Sequence, residues 1–244
     1  AFIPTINEPN QEELESTAIQ IGKTAIKLIQ FGQNEEAIKL LKLAIKLNPK
    51  EVELWKSLAE AQVRSKKNSQ ALSSLNQAIE LQPKEESIYF KQASIYMNLD
   101  NPKKAKTFIK KGLSINKNNE RGYFQLGNAE MMLNNYSSAL IAFKKSSEIN
   151  SKFWQAINNE GLVLYELNHF KKAISKFRSA LEISNDAEPM LALAIAMYSS
   201  SNTSNESLRL AKNALKSNPR YVLQSYQAMQ LWGKKLQKSA QLLF

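Results

Sequence analysis

The sequence predicts an all-α solenoid: six helix pairs followed by a C-terminal capping helix. The first observation behind this is a 34-residue period. Val52 to Glu85 carries Trp55, Leu58 and Ala59, then Ala71, Leu75 and Ala78, then Pro83. The same skeleton recurs from Ala18, Glu86, Glu120, Trp154 and Glu188 without an insertion. The second is that small residues recur where two helices of a pair must cross closely. The third is composition: 43% hydrophobic residues with only seven glycines and seven prolines suits long helices and a continuous core.

Residues 1–17 are expected to form an extended lead-in and the start of a first helix. Ala1 to Asn10 holds two prolines, and Gln11 to Gln30 has a helical pattern with Glu12, Glu13 and Glu15 near the positive end of the helix dipole. Six repeats then fill 18–221, as 18–51, 52–85, 86–119, 120–153, 154–187 and 188–221. Repeat position 8 is small (Ala25, Ala59, Ala93, Gly127, Gly161), and so is position 20 (Ala37, Ala71, Ala105, Ala139, Ala173). Position 27 is small in all six copies: Ala44, Ala78, Gly112, Ser146, Ala180 and Ala214. Position 24 is large instead (Leu41, Leu75, Ile109, Phe143, Phe177), and such alternation is what ridge-in-groove packing requires. Pro49, Pro83 and Pro219 end helices.

The sixth copy departs, with Ile195 at position 8, Ser207 at position 20 and a polar turn from Ser199 to Asn205. It reads as a loosened terminal repeat. Residues 222–244 are expected to be one helix. Val222, Tyr226, Met229, Gly233, Leu236, Ala240 and Leu243 make a stripe that would cap the last repeat's core or pair with a second copy.

Cysteine is absent, which excludes disulfides, thiolate metal sites and cysteine nucleophiles. No apolar run approaches the length needed to span a bilayer. The chain begins at Ala1 rather than Met, which leaves room for a removed leader. The default expectation is the cytoplasm; an exported or membrane-attached protein is the alternative. A net charge of +11 invites a nucleic-acid reading, but only five of the cations are arginine, the residue whose planar fork reads bases and phosphates. Nucleic acid is therefore disfavoured as a partner.

The skeleton resembles the tetratricopeptide repeat family, whose pattern is W-x2-L-G-x2-Y…A-x3-F…P. The resemblance implies a right-handed superhelix of antiparallel helix pairs with the first helices lining a concave groove. It also implies a scaffold that binds peptides or proteins and assembles complexes. Phe153 to Ile174 (FWQAINNEGLVLYELNHFKKAI) and the tail after Tyr221 resemble tetratricopeptide proteins of cyanobacteria, which implies a role in complex assembly.

No enzyme is expected and no cofactor. His169 is the single histidine, placed in a turn, and neither GxxxxGK[ST] nor GxGxxG occurs. At the family's ligand-facing positions, the resemblance implies a peptide groove of Phe90, Met97, Phe124, Asn128, Met131, Asn158, Leu162 and Tyr165, apolar and amide in character. A clamp for the acidic C-terminal peptide of heat-shock chaperones is disfavoured. Its positions hold Lys56, Glu60, Lys91, Arg121 and Gln125, and Glu60 would repel a carboxylate. A basic outer ladder of Lys42, Lys110, Lys144, Arg178 and Lys212 offers the alternative function: an electrostatic adaptor for an acidic protein, an anionic membrane or nucleic acid. The expected partner is a protein or peptide, the chain being a monomer or a homodimer through its C-terminal helix. Phe2-Ile3-Pro4 is a further candidate, as a pseudo-ligand of the groove.

Overall fold

The structure, a computed structural model, describes residues 10–200 and 205–244. Phe2-Ile3-Pro4 and most of the lead-in lie outside them, as does the centre of the turn between Ser199 and Asn205. Every regular element among the described residues is helical.

Contacts divide the chain into two units, 1–99 and 100–244. The first holds α1 (Gln11–Gln30), α2 (Asn34–Leu47), α3 (Val52–Arg64), α4 (Asn68–Leu81) and α5 (Glu86–Asn98). Helix α1 starts on a capping box: Asn10 Oδ1 accepts from the Glu13 amide at 2.8 Å, and the Glu13 carboxylate accepts from the Asn10 amide at 3.1 Å. Successive helices pack on one another, and α1 also touches α3.

The second unit holds α6 (Pro102–Ile115), α7 (Glu120–Met132), α8 (Tyr136–Ile149), α9 (Trp154–Glu166), α10 (Phe170–Ile183), α11 (Ala187–Ser199) and α12 (Asn205–Ser217). A 3-10 turn (Pro219–Val222), α13 (Gln224–Met229) and α14 (Lys234–Leu243) follow.

Two rules of the repeat are visible in side-chain volume. Position 24 is fully buried wherever it is large: Leu41, Leu75, Ile109, Phe143 and Phe177 are each at most 1% exposed. Where it is phenylalanine, position 8 must be glycine. A Cβ on Gly127 would lie 2.4 Å from the Phe143 ring, and one on Gly161 would lie 2.5 Å from Phe177. The aliphatic copies carry alanine there. The sixth copy reverses the sizes: Ile195 is buried at position 8 and Ala211 is buried at position 24. At these two positions it is a volume-conserving exchange; the polar turn behind the reading of a loosened repeat lies partly outside the described residues.

The turn between the helices of a pair shows the same regularity. Gly32, Lys66, Asp100, Asn134 and Asn168 all have positive φ, between 53° and 77°, and lie 34 residues apart. Amides just past them reach back six-to-one, as from Lys67 to Gln62 O at 2.7 Å and from His169 to Leu164 O at 2.8 Å. Aspartate, asparagine and glycine tolerate this left-handed backbone best.

Buried charges are paired. Glu160, 2% exposed, meets Lys176 at 2.7 Å and accepts from Ser147 Oγ at 2.6 Å. Glu130 meets Lys106 at 2.6 Å. Burial pushes its carboxyl up, but Lys106 and the Asn135 amide outweigh burial and hold it below the usual range. Lys176→Met strands the Glu160 carboxylate and is expected to cost about 1–3 kcal/mol in urea unfolding. A loss of a few tenths would mean that Glu160 is already solvated.

Candidate functional site: the first-helix face and the segment lying on it

The 222–244 expectation needs correction. One continuous helix does not form, because Leu231 adopts a φ of 63° and α14 restarts at Gly233. The break is held by one side-chain bond and one backbone bond. Gln227 donates to Tyr221 O at 2.6 Å, and the Trp232 amide donates to Gln227 O at 3.0 Å. The expected stripe is therefore split. Leu236 and Ala240 are fully buried, whereas Val222 and Met229 are 50% and 74% exposed. Helix α14 packs on α9 and α11, the first helices of their pairs, and contributes to the core they share.

Polar contacts fix this placement. The two Glu166 carboxylate oxygens accept from the backbone amides of Lys235 (3.2 Å) and Leu236 (3.0 Å), the second and third residues of α14. A carboxylate thus caps the positive end of the helix dipole from outside. Lys235 Nζ donates to Glu166 O and to Asn168 Oδ1. Tyr165 Oη donates to Ser239 Oγ at 2.8 Å and is 2.6 Å from Ser199 Oγ. Trp232, 2% exposed, donates its indole N–H to Glu188 Oε1 at 3.0 Å and lies against Tyr221.

Glu188 is an unusual carboxyl. Loss of water beneath the indole and Tyr221 raises it to about 7; Asp186 adds to the rise, and the bonds from Trp232 and Asn158 only moderate it. The sign follows from proton binding. Between about 4.5 and 7 the folded chain holds a proton that the unfolded chain lacks, so Glu188's contribution is greatest at the acidic end and falls as pH rises through that window. Because Glu188 is half-buried, we expect stability to drop by on the order of 1–2 kcal/mol between pH 5 and pH 7.5, and Glu188→Gln to flatten the slope. A wild-type curve that rises with pH over this interval would refute the assignment. Asn158 Oδ1 is buried nearby without a hydrogen-bond partner, and a protonated Glu188 would supply a donor.

The eight groove residues divide between the units. In the first, Phe90 and Met97 are half-buried on α5. Beside them an open cleft of about 150 Å³ is floored by Val63 and Ile95 and rimmed by Glu60 and Lys91, which approach to 4.0 Å. In the second, Phe124 is half-buried against Phe143 and Phe153, and Asn128 Oδ1 accepts from Asn159 Nδ2 at 3.1 Å. Met131 is buried at the edge of a cleft of about 280 Å³ shared with Tyr136, Leu231, Trp232 and Lys234. Asn158, Leu162 and Tyr165 are at most 2% exposed. They are not an open surface: Tyr165 donates to Ser239 of α14, and Leu162 lies in the core that α9 shares with α11 and α14. Reading the sequence missed Trp232, Glu188 and the capping role of Glu166; the one signal was the run Trp232-Gly233-Lys234-Lys235-Leu236 itself.

The disfavoured chaperone clamp has a structural counterpart. Lys56 lies 2.6 Å from both Glu53 and Glu85. Burial lowers the Lys56 ammonium, but these two carboxylates outweigh it and hold it above the ordinary lysine value. On the outer face Lys42, Lys110, Lys144 and Lys212 are exposed, whereas Arg178 is committed to Glu206 through contacts of 2.7 and 3.2 Å. Among the described residues no cluster of three potential metal ligands occurs, and no helix is long and apolar enough to cross a membrane. His169 is exposed at the start of α10.

Sequence models of the tetratricopeptide repeat match residues 28–95 and 86–119. Residues 28–119 are thus similar to tetratricopeptide repeats. The fold of the chain is that of solved tetratricopeptide proteins and related solenoids. The protein described as PilF of Pseudomonas aeruginosa is 15% identical, with a TM-score of 0.72 over 90% of this chain and 99% of its own. YrrB, described as a tetratricopeptide protein with an unusual peptide-binding site, is 19% identical, with a TM-score of 0.59 over 78% of this chain and 97% of its own. MamA is 22% identical, with a TM-score of 0.62 over 70% of this chain and 92% of its own. No curated protein sequence matches the chain. Tetratricopeptide proteins generally mediate protein–protein interaction, and the fold of this chain resembles theirs.

Proposed function

We propose that this chain is a non-catalytic scaffold of six tetratricopeptide repeats that grips a protein segment on its first-helix face and serves the assembly of a complex. The observation that carries the reading is that this face already holds a segment, Trp232 to Ala240, by apolar burial and by capture of backbone amides. YrrB, a neighbour in fold, has a peptide-binding site in its own description. Phe90 and Met97 on one unit, and Phe124 and Asn128 on the other, supply the apolar and amide chemistry that such a ligand needs. The cyanobacterial likeness of Phe153 to Ile174 is consistent with a photosynthetic assembly process.

The test is affinity capture by the full chain at low and moderate salt. We expect one protein to be retained at moderate salt, and its affinity to fall at least tenfold in Phe124→Ala/Asn128→Ala. Retention unchanged by that double substitution would remove the groove reading. Acidic protein or nucleic acid that washes off with salt would favour the outer basic residues instead.

A further inference from the structure

We propose that Trp232 to Ala240 is a displaceable internal occupant of the α9–α11 face, and that the partner segment displacing it is a basic amphipathic helix of the same chemistry: an aromatic residue, a glycine at the helix start, a basic residue in the first turn, then apolar residues one turn apart. This rests on the scaffold reading above and deepens it by naming the ligand class.

Each part of that description has a physical source. Glycine is favoured because a Cβ on Gly233 would lie 2.1 Å from Glu166 Cδ and push that carboxylate off the helix start, although its φ of −71° is open to any residue. An aromatic donor is required because Trp232 fills a buried site and satisfies Glu188. A basic residue at the second helical position is favoured because Lys235 Nζ donates to the Glu166 carbonyl and to the Asn168 amide oxygen, while the Glu166 carboxylate takes the backbone amides of Lys235 and Leu236. Apolar residues at Leu236 and Ala240 are one helical turn apart, and both are fully buried.

The segment is also built to leave. Helix α14 has ten residues, too few to persist alone in water, so its order depends on docking. It is joined to α13 through Leu231 in the left-handed region, a conformation unfavourable for leucine that release would relax. The groups facing Glu188 (Asp186, Tyr221, Trp232 and Asn158) make docking firmer in acid, so a partner should compete best above neutral pH.

The experiment uses the full chain and a fluorescent peptide of residues 229–244. Gly233→Val dislodges the internal segment by collision with Glu166 and leaves every residue of α9 and α11 unsubstituted. Fluorescence polarisation should show that variant binding the peptide at least tenfold more tightly than the wild type. Adding Glu166→Gln should remove at least tenfold of that gain, and a peptide with both lysines 234 and 235 replaced by alanine should bind correspondingly weakly. In the wild type, the amides of Lys235 and Leu236 should exchange hydrogen at least a hundredfold faster than those of Leu191 to Met197. Equal protection, or no peptide binding by a Gly233→Val chain that keeps its helicity, would make the segment a permanent cap and overturn the proposal. Partner capture sensitive to Phe124 and Asn128 would survive that result, so the two readings fail separately.

Discussion

Phe177→Ala is expected to destabilise the chain by about 3–5 kcal/mol and Gly161→Ala by about 1–3 kcal/mol, whereas the double change Gly161→Ala/Phe177→Leu should cost far less than its parts summed. Phe177 is fully buried, and its ring edge occupies the space where a Cβ on Gly161 would sit, 2.5 Å away. Alanine at 161 must push the ring aside within a close-packed interior, and leucine at 177 alone leaves a void. Together they recreate the Ala59/Leu75 pair of the second copy, in which both residues are buried without conflict. Urea unfolding of the wild type, Gly161→Ala, Phe177→Leu and the double substitution completes a cycle, with an expected coupling of about 1–3 kcal/mol. Strict additivity would show that the two positions do not share one volume. Gly127 and Phe143 should behave in the same way.

Trp232→Ala should cost about 3–5 kcal/mol, limited by the docking free energy of the segment, since beyond that α14 detaches. The indole is 2% exposed, and its removal also deprives Glu188 of a donor. With the segment detached, water returns to Glu188 and its carboxyl should titrate in the ordinary range. The decline in stability between pH 5 and pH 7.5 should then flatten, as in Glu188→Gln. Unfolding curves at the two pH values separate the outcomes. A large loss with the slope retained would mean that Tyr221 and Asp186, not the segment, set the Glu188 environment. A loss under about 0.5 kcal/mol, within the range of ordinary surface substitutions, would mean that the indole is not held as described.

Much of the fold was legible because a repeat states its packing rule several times. Small residues at positions 8, 20 and 27 and large ones at 24 describe a helix crossing through volume alone, and volume is a local property of each residue type. The left-handed turn residue was legible in principle at Gly32, Asp100, Asn134 and Asn168, but Lys66 hides the pattern, since lysine has no special tolerance for positive φ. Ile195 was misread because the rule concerns the sum of two positions, and its partner Ala211 lies sixteen residues further on.

The candidate site was less legible. A periodic stripe reports which residues prefer burial, not which neighbour buries them. Leu236 and Ala240 satisfy that preference against α9 and α11 while Val222 and Met229 remain exposed, because a side-chain bond from Gln227 and the Leu231 backbone break the helix between them. Nor does any spacing connect Glu166 to the amide of Leu236, seventy residues away. The sequence by itself determined the repeating helix pairs and the complementary volumes inside them. The tertiary structure alone decided that the first-helix face of the second unit is occupied by the chain's own C-terminal segment, because hydrogen bonding and desolvation depend on which groups meet in space.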